Sequence, residues 1–292
     1  MRLSDNIGNT PLIEISPKLF AKAEIFNPTG SIKDRPASHI LNSAEKKGIL
    51  KKGDTICEAT SGNMGVSLSW LAAERGYKCI IIMPSNMSKE RKQTLNYYGA
   101  EIIEVDEGDF DGAIKLRDEL SLKNGWFNCN QFNNPLNIES HEKTTAKEIN
   151  YQVHNDVKKH ISAFISGTGT GGTLMGAGLE LRKLTPDMKI VAVEPKESPV
   201  MSGGEPGLHG IQGIGDGSKF LVDLTVLDEI ITISTEEAKD RSKRLAKEHG
   251  IFVGISAGSN ILAAERWIEK NNPEGIVVTF LCDRGDRYFS CL

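Results

Sequence analysis

Short apolar runs rich in Ile and Val alternate with helical patterns along most of this chain, and that alternation limits the folds open to it. Strand-like runs fall at Thr55–Cys57, Cys79–Met83, Glu101–Val105, Ile161–Ile165, Lys189–Val193, Glu229–Ile233 and Ile276–Cys282. Between them the spacing predicts helices over Val66–Arg75, Ser88–Tyr98, Phe110–Leu122, Leu174–Leu184, Glu236–His249 and Asn260–Lys270. Strand–helix–strand repetition builds a mostly parallel sheet with helices on both faces, an α/β fold. There are more units than one small sheet needs, so two sheets are expected, in two closely packed lobes that exchange chain segments. The 292 residues, 39% of them hydrophobic, can bury cores of that size.

The same reading excludes several classes. Net charge is -4 and no basic block stands out, which argues against a nucleic-acid partner. The stretch MRLSDNIGNTPL lacks a charged region followed by an apolar one, so no secretory signal is expected. The longest apolar runs are too short to span a bilayer, so no membrane association is expected either. The cysteines Cys57, Cys79, Cys129, Cys282 and Cys291 are odd in number, form no CxxC pair and lie mostly in or beside strand-like runs. Reduced, buried thiols of a cytoplasmic protein fit that pattern, and no metal is expected.

In such folds ligands bind at the carboxyl ends of the strands, where loops carry glycine. One loop, EATSGNMG (Glu58–Gly65), precedes a helix and offers hydroxyls, an amide and backbone N–H groups, either as an anion site or as an ordinary polar cap. A second, SGTGTGGT (Ser166–Thr173), follows a strand and precedes a helix, and a phosphate is its natural guest. Its glycines also look like a dinucleotide fingerprint, with Glu194 placed to hold a ribose, so a nicotinamide (NAD) dehydrogenase is a competing reading. That reading leaves unexplained NPTGSIKDRP (Asn27–Pro36), where Pro36 sets Lys33 within a turn of a helix N-terminus. The helix dipole disfavours a cation there, which gives Lys33 a reason to be neutral. GISAGSN (Gly254–Asn260) sets Ser256 before another helix, where a plain cap is the simple reading. Gln131, at the end of a strand, reads as structural or ligand-binding, and His141 as a surface or capping histidine.

A phosphate cradle, a neutral lysine and a polar loop for a carboxylate are together what a pyridoxal 5′-phosphate enzyme needs. The motifs IGNTPL, NPTGSIKDR, EATSGNMG, QFNNP, GTGGT, EPKESPVMSGG, IQGIG and GISAG stand in order along nearly the whole chain. In them the sequence resembles the cysteine synthases (O-acetylserine sulfhydrylases) of fold type II, the tryptophan synthase β-like class. The ending CDRGDRYFS is most similar to isozyme B. The resemblance implies a large cofactor-binding domain of residues 1–34 and 138–292, a small mobile domain of residues 35–137 that closes over substrate, and a homodimer.

It also implies roles. Lys33 is the Schiff-base lysine and the base at the substrate α-carbon. Asn63 meets the ring's 3′ oxygen, and Gly169, Thr170, Gly171, Gly172 and Thr173 hold the phosphate. Ser256 faces the pyridine nitrogen, where a neutral hydroxyl gives a milder electron sink than a carboxylate. Thr60, Ser61, Gly62 and Gln131 receive the substrate carboxylate. The implied reaction makes cysteine from O-acetylserine and sulfide through an aminoacrylate. Two departures bear on the substrate. Met64 stands in the carboxylate loop where relatives carry threonine, and GIGDG places Asp216 where they read GIGAG. Asp216 either points to solvent or activates water, which would make the enzyme a cysteine desulfhydrase or lyase that releases hydrogen sulfide and forms serine. Dehydratase, cystathionine synthase and a non-catalytic scaffold are the further alternatives.

Overall fold

The computed structural model describes residues 1–60, 62–87 and 89–291. Ser61, and Ser88 where the third helix pattern begins, lie outside the described residues. The chain divides into two compact units. Unit 1 is Met1–Ile7 with Lys33–Asn137, and unit 2 is Gly8–Ile32 with Ile138–Leu292. Each unit is therefore assembled from discontinuous segments.

In chain order the strands are β1 (Leu12–Ser16), β2 (Leu19–Ala23), β3 (Thr55–Ala59), β4 (Lys78–Pro84) and β5 (Glu101–Val105), then β6 (Phe127–Asn128), β7 (Ile161–Gly167), β8 (Lys189–Pro195), β9 (Glu229–Ile233) and β10 (Ile276–Leu281). The α-helices are α1 (Asp34–Lys46), α2 (Asn63–Arg75), α3 (Lys89–Tyr97), α4 (Phe110–Asn124), α5 (Pro135–Ser140), α6 (Ala146–Gln152), α7 (Gly172–Leu184), α8 (Thr235–His249) and α9 (Ile255–Asn271). α5 and α6 are joined by a π-helical turn, His141–Thr145.

Unit 1 carries a four-stranded sheet in the order β5-β4-β3-β6, and every pairing in it is parallel. β4 reads KCIIIMP and is buried from Cys79 onward, as a strand covered on both faces must be. One face packs α1 and α2 through Ile40, Leu41, Leu68 and Leu71, and the other packs α4 through Ala113. α2 ends at Gly76 and α4 at Gly125, each in the left-handed conformation that terminates a helix.

Unit 2 carries a six-stranded sheet in the order β1-β2-β10-β7-β8-β9. It is parallel except for the β1–β2 hairpin, which pairs Leu12 with Lys22 and Ile13 with Ala21. α8 and α9 cover one face with Leu245, Ile261 and Trp267, and α6 and α7 cover the other with Ile149, Leu174 and Leu181. A reciprocal capping box starts α8, in which Ser234 and Glu237 satisfy each other's backbone N–H. No helix among the described residues is long and apolar enough to cross a membrane.

Candidate active site

Unit 1 gathers Lys33, Thr60, Gly62, Asn63 and Gln131 around the carboxyl end of β3. Lys33 caps the N-terminus of α1, half-buried, and its carbonyl accepts from the N–H of Ala37 at 3.1 Å. The next residue, Asp34, is fully buried. Ser67 Oγ lies 2.6 Å from Asp34 Oδ1 and 3.0 Å from the Asn63 carbonyl oxygen. One serine thus ties the first turn of α1 to the first turn of α2, and fixes Lys33 relative to Asn63.

Thr60 leaves β3 with its N–H donated to Ile82 at 3.0 Å, and its Oγ1 accepts from Gly62 N–H at 3.2 Å. Gln131 is 4% exposed. Its Nε2 donates to the Ala59 carbonyl at 3.4 Å, and its own carbonyl accepts from Asn137 Nδ2 at 3.0 Å. Beneath them, Glu58 is an acid inside a strand core, wholly buried and paired with the equally buried Arg117 at 3.0 Å. Burial pushes the Glu58 carboxyl up, and Arg117 together with the Gln131 and Ala59 N–H groups pulls it back.

Met64 does not fit the substrate role expected of it. Its side chain is 1% exposed and belongs to the apolar cluster with Leu68 and Ile81. Its sulfur is part of the core.

Unit 2 gathers Gly169–Thr173, Ser256 and Asp216. The glycine loop runs from the end of β7 into the N-terminus of α7. Gly171 caps that helix at φ +86°, so the loop ends at the positive end of the α7 dipole, where an anion is favoured. A Cβ on Gly171 would sit 2.6 Å from Val222 Cγ2, and one on Gly169 would sit 2.7 Å from the Gly213 carbonyl oxygen. Glycine is therefore required at 169 and 171, because a side chain at either position would collide with the segments packed on the loop. Thr170 Oγ1 accepts from the Gly172 N–H at 3.3 Å. Asn260 locks α9 to the same loop by accepting the Gly167 N–H at 2.7 Å. Ser256 lies one turn before Asn260, inside the first turn of α9, and is 3% exposed. The helix begins at Ile255 and its cap is Gly254, so the simple reading of Ser256 as a cap does not hold.

Asp216 does not point into solvent. Its Oδ2 lies 2.9 Å from the position a Cβ on Gly169 would take. Gly215 N–H donates to the Thr168 carbonyl at 2.9 Å, which lays the Asp216 loop on the glycine loop. Glu194, the acid on which a ribose-binding reading depends, is spent locally. It accepts from the N–H groups of Met201 (2.8 Å) and Ser202 (3.0 Å). His141 is 1% exposed, not a surface residue. Its Nδ1 is 2.9 Å from Thr145 Oγ1 and its Nε2 is 3.2 Å from Thr173 Oγ1, which brings the π-helical turn to the edge of the cradle. No metal-binding cluster occurs among the described residues.

Within unit 2, the glycine loop at the start of α7 suits an anion such as a phosphate, and Ser256 places a buried, uncharged hydroxyl in the first turn of α9.

Comparison with known proteins agrees. The family model described as pyridoxal-phosphate dependent enzyme matches residues 3–283. A cysteine synthase of Staphylococcus aureus is 43% identical over 295 residues, covering 97% of this chain and 94% of the relative. An O-ureido-L-serine synthase of Streptomyces lavendulae is 40% identical, covering 98% of this chain and 90% of that protein. Among solved structures, a hydrogen sulfide-producing enzyme of Fusobacterium nucleatum superposes with a TM-score of 0.94 at 36% identity, covering 99% of this chain and 90% of the other.

Proposed function

The chain belongs to the pyridoxal-phosphate dependent enzyme family, and we propose that it exchanges the β-substituent of an activated serine for sulfide, so that O-acetylserine and hydrogen sulfide give cysteine and acetic acid. Bound pyridoxal phosphate would supply the electron sink that lets the α-proton and then the β-substituent leave. Lys33 is its point of attachment, and the freed Lys33 amine takes and holds the α-proton. The amides of Gly169–Thr173 hold the phosphate, Ser256 meets the ring nitrogen and Asn63 the ring oxygen. Thr60, Gly62 and Gln131 receive the substrate carboxylate, with Ser61 of the same loop. The observation that carries this reading is the glycine-rich loop capped by Gly171 at the start of α7, in a chain of this family. The test supplies purified enzyme with O-acetylserine and sulfide. Cysteine and acetate in equal amounts support the reading, and acetate without cysteine removes sulfide as the acceptor.

The placement of Asp216 favours a second reading at the same site. A carboxylate beside the cradle would repel hydrosulfide and can accept a proton from water. Cysteine and water would then give serine and hydrogen sulfide, with the water proton passing to Asp216 and on to the departing sulfur. A relative at TM-score 0.94 is a hydrogen sulfide-producing enzyme. Wild type and Asp216→Asn are given cysteine, and serine and sulfide are measured. Slower serine release in the variant supports the reading, whereas equal rates leave Asp216 a loop residue. A cytoplasmic homodimer completes the proposal by family resemblance, and sedimentation velocity tests the dimer.

A further inference from the structure

Glu58 and Arg117 place a full ion pair inside the apolar interior of unit 1, with side-chain exposures of 0% and 1%. Taking two charges out of water is expensive, and apolar residues of equal volume often stabilise a core as well or better. The placement of the bonds suggests another use. Glu58 Oε1 accepts from Arg117 Nη1 at 3.0 Å and from the Ala59 N–H at 2.9 Å. Glu58 Oε2 accepts from the Gln131 N–H at 2.9 Å. One carboxylate therefore holds the root of the Thr60–Gly62 loop and the backbone of Gln131 together. Arg117 is held in turn by Asp118 Oδ1, at 2.9 Å from Nε and 2.8 Å from Nη2, and that oxygen also accepts from Asn128 Nδ2 at 2.8 Å. The turn that delivers Gln131 is a constrained one. Asn130 sits at φ +50°, in the left-handed region that side chains seldom adopt.

We infer that the Glu58–Arg117 pair is a positioning device for amino-acid recognition: it sets Gln131 in register with the Thr60–Gly62 loop, and through them the affinity for the substrate carboxylate. The inference rests on the proposal above that these two segments receive that carboxylate. The requirement is for two acceptor oxygens on one planar group. Glutamine has the same shape but only one acceptor oxygen, so Glu58→Gln turns an N–H toward one of the two donors it must hold.

The test is calorimetric titration of cofactor-loaded protein with L-alanine, which has no β leaving group and so reports binding without turnover. Glu58→Gln is expected to weaken L-alanine at least tenfold and to leave pyridoxal phosphate affinity within twofold. In a Gln131→Ala background the same change is expected to add less than twofold, because the segment it positions has lost its ligand. Arg117→Lys keeps the charge but loses the fork to Asp118, and is expected to weaken L-alanine about threefold or more. A folded Glu58→Gln with unchanged L-alanine affinity overturns the inference, as does an equal penalty with and without Gln131. If Glu58→Gln does not fold, unchanged affinity in Arg117→Lys overturns it. Wild-type protein that binds no L-alanine defeats the substrate-loop proposal itself, a result distinct from the others.

Discussion

Gly171→Ala perturbs the cradle at its tightest point, and the structure allows its cost to be worked out. A residue other than glycine pays about 1–2 kcal/mol for the left-handed conformation at φ +86°. The added methyl would lie 2.6 Å from Val222 Cγ2 and 3.0 Å from the Val222 nitrogen, and overpacking of that kind costs about 1–3 kcal/mol more. Relief of the clash requires the glycine loop or the Leu221–Val222 segment to shift, which moves the proposed phosphate cradle. The clash alone, about 1–3 kcal/mol at about 1.4 kcal/mol per tenfold, corresponds to a pyridoxal phosphate dissociation constant raised by at least ~5-fold. Gly203 is the control. It has φ +85° with nothing within 4 Å of the added methyl, so Gly203→Ala pays the backbone cost alone and should leave cofactor affinity unchanged. The assay is an absorbance titration of apoprotein with pyridoxal phosphate, beside a guanidinium denaturation curve for each variant. Wild-type cofactor affinity and an unchanged denaturation midpoint in Gly171→Ala would refute the reasoning.

Two further outcomes concern unit 1. Met64→Thr removes a fully buried thioether from an apolar cluster and buries a hydroxyl, so it should destabilise the protein by about 2–5 kcal/mol in chemical denaturation and leave the affinity for amino acids unimproved. Burial pushes the Cys57 thiol up to about 11 and the Cys79 thiol up to about 12, from an ordinary value of 9.0. A raised folded-state value means stability that is whole below pH 9.0 and is lost as pH rises toward those values, because the unfolded thiols ionise first. Denaturation curves should therefore show stability falling between pH 9.0 and 11, by up to about 1.4 kcal/mol per pH unit for each thiol, with a flatter fall in a Cys57→Ala, Cys79→Ala double variant.

What the sequence disclosed depended on how local the signal was. β5 and β9 match the residues expected for them, because a short apolar strand between polar turns is legible from its own residues. The starts of α2 and α9 were placed late, at Val66 and Asn260, because their first turns are polar and glycine-rich. Gly and small polar residues carry none of the hydrophobic periodicity by which a helix is recognised in sequence. The β1–β2 hairpin was not anticipated, since Lys22 breaks the apolar pattern of β2 while being fully buried. Polar residues that satisfy one another across the fold cannot be recognised from spacing. Glu58 and Arg117 stand 59 residues apart, and only the structure pairs them. The acid within TICEA was the available hint, a charge where a strand core should carry none. The surface reading of His141 failed for the same reason, its environment being built by Thr145 and by Thr173 of α7.

The attachment of the cofactor to Lys33 is the claim on which the account turns. Purified protein is incubated with pyridoxal phosphate, reduced with borohydride and digested, and the modified peptide is sequenced by mass spectrometry, with Lys33→Ala carried through the same steps. The account predicts a phosphopyridoxyl group on Lys33 in the wild type and no stoichiometric adduct in the variant. A stoichiometric adduct on another lysine, or an equal adduct in Lys33→Ala, would contradict it.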